Sequence, residues 1–113
     1  MRKRILLLDD DPTVARTTAR ILGRDFDVEV YLRVEPALKA LRERVFDAVV
    51  SDMDLGDTDG VAFYREAIRI HPELADRFVF YSGSPNIPAT NIPLLTKPAD
   101  DDQLRGTVWS LVL

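Results

Sequence analysis

A chain of 113 residues with 46% hydrophobic content can bury one core and is too short for two ordinary domains, so residues 1–113 read as a single domain. The formal net charge is −4, with 30% charged residues of both signs, which leaves no basic footprint for nucleic acid. The absence of cysteine excludes a disulfide framework and a thiolate metal site.

Arg2-Lys3-Arg4 precedes the short apolar run Ile5 to Leu8, which is too brief for a signal-peptide core. No apolar run approaches the roughly 20 residues that span a bilayer, and the expectation is a cytoplasmic protein without membrane contact. The run Ile5-Leu6-Leu7-Leu8 predicts a first strand, ending in Asp9-Asp10-Asp11. Pro12 then suits the first turn of a helix with Asp11 as its N-cap and Gly23 as its stop, and Val14, Thr18, Ile21 and Leu22 as its inner face. Phe26 to Tyr31 alternates apolar and polar residues, the period of a half-buried edge strand. A second helix is expected from about Glu35-Pro36 to Arg44, with Ala37, Leu38, Leu41 and Val45 facing inward.

The third strand lies in Asp47-Ala48-Val49-Val50-Ser51-Asp52-Met53-Asp54, and the turn residues Gly56 to Gly60 follow it. Val61, Tyr64, Ala67 and Ile68 mark a third helix closed by Pro72, and Phe78 to Tyr81 a fourth strand ending in Ser82. Between Ser82 and Pro93 the chain carries Gly83, Pro85, Asn86, Pro88 and Asn91, so the usual crossover helix is expected to be reduced or absent. Leu94-Leu95-Thr96 is a short fifth strand ending in Lys97. A last helix from about Asp101 to Val112 places Leu104, Val108 and Leu111 on one face and is weakened by Gly106.

Alternation of strands and helices predicts an α/β fold, a doubly wound parallel sheet of five strands in the order 2-1-3-4-5. In such a sheet chemistry sits beyond the carboxyl ends of the strands. Four apolar runs end there in usable groups: Asp9 and Asp10, Asp52, Ser82, and Lys97. Clustered carboxylates call for a hard cation, and Mg²⁺ suits Asp10 and Asp52 as direct ligands, Asp9 through water, and the backbone carbonyl of Asp54. Asp52 is the candidate nucleophile for a phosphoryl group, with Ser82 and Lys97 each placed to hold one of its oxygens.

Taken together, Leu8-Asp9-Asp10-Asp11-Pro12, Ser51-Asp52-Met53-Asp54 with Asp59-Gly60, Ser82-Gly83 and Lys97-Pro98 resemble the receiver domains of two-component response regulators, over nearly the whole chain. The resemblance implies Mg²⁺-dependent phosphoryl transfer to Asp52 from a phosphohistidine on a histidine kinase or histidine phosphotransfer protein, slow self-catalysed hydrolysis, a phosphorylation-dependent change of surface, and a cis Lys97-Pro98 bond. A monomer or weak dimer is expected. The departures are Gly56 where the family commonly has proline, Thr58 where an apolar residue is common, Ala99 where an aromatic is usual, and Leu94 in place of the switch aromatic. The shortened crossover is similar to that of receivers fused to hybrid sensor kinases.

Two other functions compete. Ser51-Asp52-Met53-Asp54 also resembles the opening of haloacid-dehalogenase-type phosphatases, although that motif normally sits on a first strand. A receiver-like interaction module that takes no phosphoryl group is the other. Each residue also has a plainer role: Asp9 to Asp11 as acids at a helix N-terminus, Ser82 as a turn residue, Lys97 as a surface cation, Asp54, Asp57 and Asp59 as loop and cap residues. His71 is expected to be an exposed helix end, and Trp109 and Tyr81 to be packing residues.

Overall fold

The computed structural model describes residues 2–56, 58–83 and 91–113. Its elements are β1 (Arg4–Leu8), α1 (Pro12–Leu22), β2 (Asp27–Tyr31), α2 (Val34–Glu43), β3 (Ala48–Ser51), α3 (Gly60–Ile70), a 3₁₀ turn (Pro72–Asp76), β4 (Phe78–Ser82), β5 (Leu94–Thr96) and α4 (Asp101–Val112). The five strands are parallel and ordered β2-β1-β3-β4-β5, the doubly wound arrangement expected.

Successive residues of a strand point to opposite faces, so each central strand feeds two cores. Leu6, Leu8, Val49, Phe78 and Phe80 pack with α2 and α3, while Ile5, Leu7, Val50, Val79 and Tyr81 pack toward Leu22 of α1 and Leu104 and Val108 of α4. Between Arg4 at the start of β1 and the serines that end β3 and β4, the central strands are continuously apolar or aromatic because both faces are covered.

Helix starts follow their side chains. Asp11 caps α1 by accepting the Thr13 and Val14 amides, Asp59 caps α3 through the Ala62 amide, and Asp100 caps α4 through that of Gln103.

The structure corrects several local expectations. Val45 is 64% exposed, because α2 stops at Glu43 and the chain has already left the helix; Phe46 takes the buried place instead. Val30 is also largely exposed, as suits the outer strand. In α3 the deeply buried residues are Phe63 and Ala67, with Val61, Tyr64 and Ile68 only partly covered. The helix ends before Pro72, which begins the 3₁₀ turn. His71 is not an exposed end: its side chain is 22% exposed and its Nε2 lies 2.6 Å from the Leu41 carbonyl oxygen. The expected shortening of the crossover after Ser82 falls mainly on residues 84–90, outside the described residues; four α-helices occur among the described residues. None of them is long and apolar enough to cross a membrane.

Candidate phosphoacceptor site

Register builds the site. Leu8 of β1 pairs with Ser51 of β3, so the next residue of each strand, Asp9 and Asp52, leaves the sheet beside the other. The backbone holds them there: Asp52 N–H donates to the Leu8 carbonyl at 2.9 Å and Asp9 N–H to that of Tyr31 at 3.1 Å. On the far side Ser82 pairs with Thr96, and Lys97 N–H donates to the Ser82 carbonyl at 3.0 Å. The Lys97–Pro98 peptide bond is cis.

The Lys97 ammonium closes the arrangement. It donates to Asp9 Oδ2 at 2.5 Å and to Asp52 Oδ2 at 3.1 Å. Asp9, Asp52 and Ser82 are buried. Burial opposes the Lys97 charge, but its hydrogen bonds to both carboxylates more than offset it and hold the pKa above that of an ordinary lysine.

Asp10 is the odd member. It is exposed, and carboxylate oxygens of Asp9, Asp10 and Asp52 can all lie within 4.8 Å of one another. Partial desolvation, then the charges of Asp52 and Asp9, raise its pKa above the usual carboxylate value. Three acids lie together and only two of them, Asp9 and Asp52, bond the ammonium, an oxygen-rich donor set of the kind that suits a hard divalent cation. The residues present therefore fit Mg²⁺.

Asp54 is exposed and its side chain lies outside that acidic group. Its amide donates to Asp52 Oδ1 at 3.2 Å, which sets its backbone against the Asp52 carboxylate. The following loop folds back on itself through an isolated bridge between Asp54 and Asp59, a Leu55 N–H to Thr58 bond and a Gly60 N–H to Met53 bond of 2.7 Å. Asp57 lies outside the described residues. Gly56 has φ +82°, a left-handed conformation proline cannot adopt, so the departure from the usual proline is a change of backbone shape. Gly60 is constrained differently: a Cβ there would lie 2.6 Å from the Asp52 carbonyl oxygen and 2.7 Å from the Phe80 ring.

Sequence reasoning did not assign a site role to Tyr81. Its hydroxyl accepts the Ala99 N–H at 3.1 Å, and the Lys97 ammonium lies 5.5 Å from its ring centroid. The register brings them together: Tyr81 pairs with Leu95, and Lys97 is two residues further along the same strand direction.

The fold and this edge define a class of protein, a two-component receiver. The chain belongs to the response regulator receiver domain family, whose model matches residues 5–108. It is 28% identical over 110 residues to the transcriptional regulatory protein ZraR of Salmonella typhimurium, covering 92% of this chain and 25% of that protein. Thus the chain spans about a quarter of the length of that relative.

Among solved structures, a sensor protein from Polaromonas sp. JS666 superimposes with a TM-score of 0.85 at 28% identity, covering 99% of this chain and 97% of that one. The receiver domain from the hybrid histidine kinase CckA does so with a TM-score of 0.83 at 26% identity, covering 97% and 99%.

Proposed function

We propose that residues 1–113 form one receiver unit that takes part in phosphorelay signalling, with Asp52 as the phosphoacceptor. The observation that carries this reading is the Lys97 ammonium held between Asp9 and Asp52, beside Asp10, at the carboxyl edge of the sheet. The donor is a phosphohistidine on a histidine kinase or histidine phosphotransfer protein. An oxygen of Asp52 attacks phosphorus, the P–N bond to the imidazole breaks as the P–O bond forms, and the histidine departs.

Asp10, Asp52 and the Asp54 carbonyl would hold Mg²⁺, with Asp9 acting through water. The ion supplies charge neutralisation for the crowded carboxylates and the anionic phosphoryl group. Lys97 turns from pairing with Asp52 to pairing with a phosphoryl oxygen, and Ser82 donates to another. Water later attacks the same phosphorus, the bond to the Asp52 oxygen breaks and inorganic phosphate leaves; because that hydrolysis is slow, the outcome is a lasting change of surface rather than the work of a multiple-turnover enzyme.

The phosphatase reading has less support, because Asp52 follows the third strand and an entire β1-α1-β2 unit precedes it.

The test is intact-mass measurement after incubation with acetyl phosphate, with and without Mg²⁺, on wild type and Asp52→Asn. A single Mg²⁺-dependent adduct that the variant lacks is expected. An unlabelled wild type that is folded and binds Mg²⁺ would favour the phosphorylation-independent module.

A further inference from the structure

We propose that Tyr81 is the positioning residue for Lys97, standing in for the aromatic that Ala99 lacks. This inference rests on the phosphoacceptor reading and concerns the same site.

Lys97 has a weak foundation of its own. β5 has three residues and lies at the edge of the sheet, so a single strand, β4, holds it. A lysine on four rotatable carbons does not stay on one bearing unless its surroundings restrict it. The restraints come from two consecutive β4 residues. The Ser82 carbonyl accepts the Lys97 N–H at 3.0 Å, and the Tyr81 hydroxyl accepts the Ala99 N–H at 3.1 Å, so both ends of the Lys97-Pro98-Ala99 turn are tied to β4.

The Tyr81 ring then forms a side wall for the ammonium, 5.5 Å from its centroid, a distance at which a cation is drawn to an aromatic face. Tyr81 is 7% exposed, and Ala99 packs against the cluster that contains it. The small side chain at 99 offers no ring to Lys97, and the ring beside the ammonium comes from β4. Tyr81 touches neither carboxylate in any described contact. Its action is through Lys97 alone.

The experiment is a double-mutant cycle on acetyl-phosphate labelling of the full chain at saturating Mg²⁺, using Tyr81→Phe, Lys97→Ala and the pair. Tyr81→Phe keeps the ring and removes the acceptor, and a fall in labelling rate of roughly 3- to 10-fold is expected from the displaced ammonium. In the Lys97→Ala background the same substitution has no further effect, since residues acting as a unit are not additive.

A direct readout runs in parallel. The chain has three lysines, Lys3, Lys39 and Lys97, so lysine-selective isotope labelling gives three side-chain Cε–H signals in the NMR spectrum. The Lys97 signal is expected to be displaced by the Tyr81 ring current in wild type and to move toward the other two in Tyr81→Leu.

Equal labelling rates for wild type and Tyr81→Phe, additive losses in the cycle, or a Lys97 signal coincident with those of Lys3 and Lys39 in wild type would each overturn the inference. A wild type that takes no label would instead defeat the phosphoacceptor reading, and the NMR arm would still decide whether Tyr81 holds Lys97.

Discussion

Two clusters of opposite charge sit at different places in this molecule, and they are balanced in opposite ways. At the seam between α1, β2 and α4, one carboxylate, Asp25, receives three donors: Arg105 Nε at 2.6 Å, Arg105 at a second nitrogen at 3.0 Å, and the Trp109 indole at 3.1 Å. Hydrogen bonding from Arg105 holds the Asp25 pKa below the usual range, outweighing desolvation. The Trp109 ring also lies 4.7 Å from that of Phe26. The seam is a clasp with its acid fully satisfied.

At the carboxyl edge the ratio is reversed. The Lys97 ammonium bonds Asp9 and Asp52, while Asp10, whose carboxylate lies within 4.8 Å of theirs, has no ammonium partner among the described contacts, and its pKa is raised. A satisfied cluster stabilises a fold, whereas an acid-rich one has donor oxygens that could take a cation.

The comparison breaks most readily at Gly60. A methyl group there meets backbone at 2.6 and 2.9 Å and the Phe80 ring at 2.7 Å, and neither the Asp52 carbonyl nor the Met53 Cα can move without shifting Asp52. Gly60→Ala is expected to cost about 2 to 3 kcal/mol of stability by denaturant unfolding and to lower the labelling rate as well. An unchanged midpoint would show that the loop yields more easily than its contacts imply.

Lys97→Ala comes next. It leaves Asp9 and Asp52 without their counterion, and because Lys97 is partly exposed the loss is expected at about 1 to 3 kcal/mol, below that of a fully buried pair. Mg²⁺ should return much of it: at ten times its dissociation constant a ligand of the native state alone adds about 1.4 kcal/mol. Thermal melts with and without Mg²⁺ would reveal that rescue. If the ion stabilised wild type and variant equally little, the edge would not be cation-poor.

The smallest effect belongs to the seam. The folded pKa of Asp25 is depressed, so its contribution is present above the unfolded value near 3.8 and is lost as pH falls through the lower folded value. Asp25→Asn should therefore lower Tm at neutral pH, give a shallower acid limb in a Tm-against-pH series, and leave labelling unchanged. Parallel acid limbs in the two proteins would remove Asp25 from the account.

Strand termini were the legible part of this sequence. Apolar runs that end in Asp9, Asp52, Ser82 and Lys97 become neighbours once the strands are parallel and in the 2-1-3-4-5 order, and the register from Leu8 to Ser51 and from Ser82 to Thr96 supplies the rest. Contacts between distant segments left no local pattern. Asp25 meets Arg105 across 80 positions, and His71 reaches Leu41 across 30. Periodicity also misled at Val45, because a helical repeat continues on paper past the residue where the backbone stops being helical. Tyr81 read as packing because a buried aromatic in an apolar strand carries no sign of what its hydroxyl will meet.

The most direct measurement is the position of the phosphoryl group itself. Wild type labelled with acetyl phosphate and Mg²⁺ is reduced with borohydride, which converts an aspartyl phosphate to homoserine, and its peptides are mapped by tandem mass spectrometry. Homoserine at position 52 and nowhere else is the predicted result. Homoserine at position 9, 10 or 54, or none in folded protein with Mg²⁺ bound, would contradict the assignment of Asp52 as the acceptor.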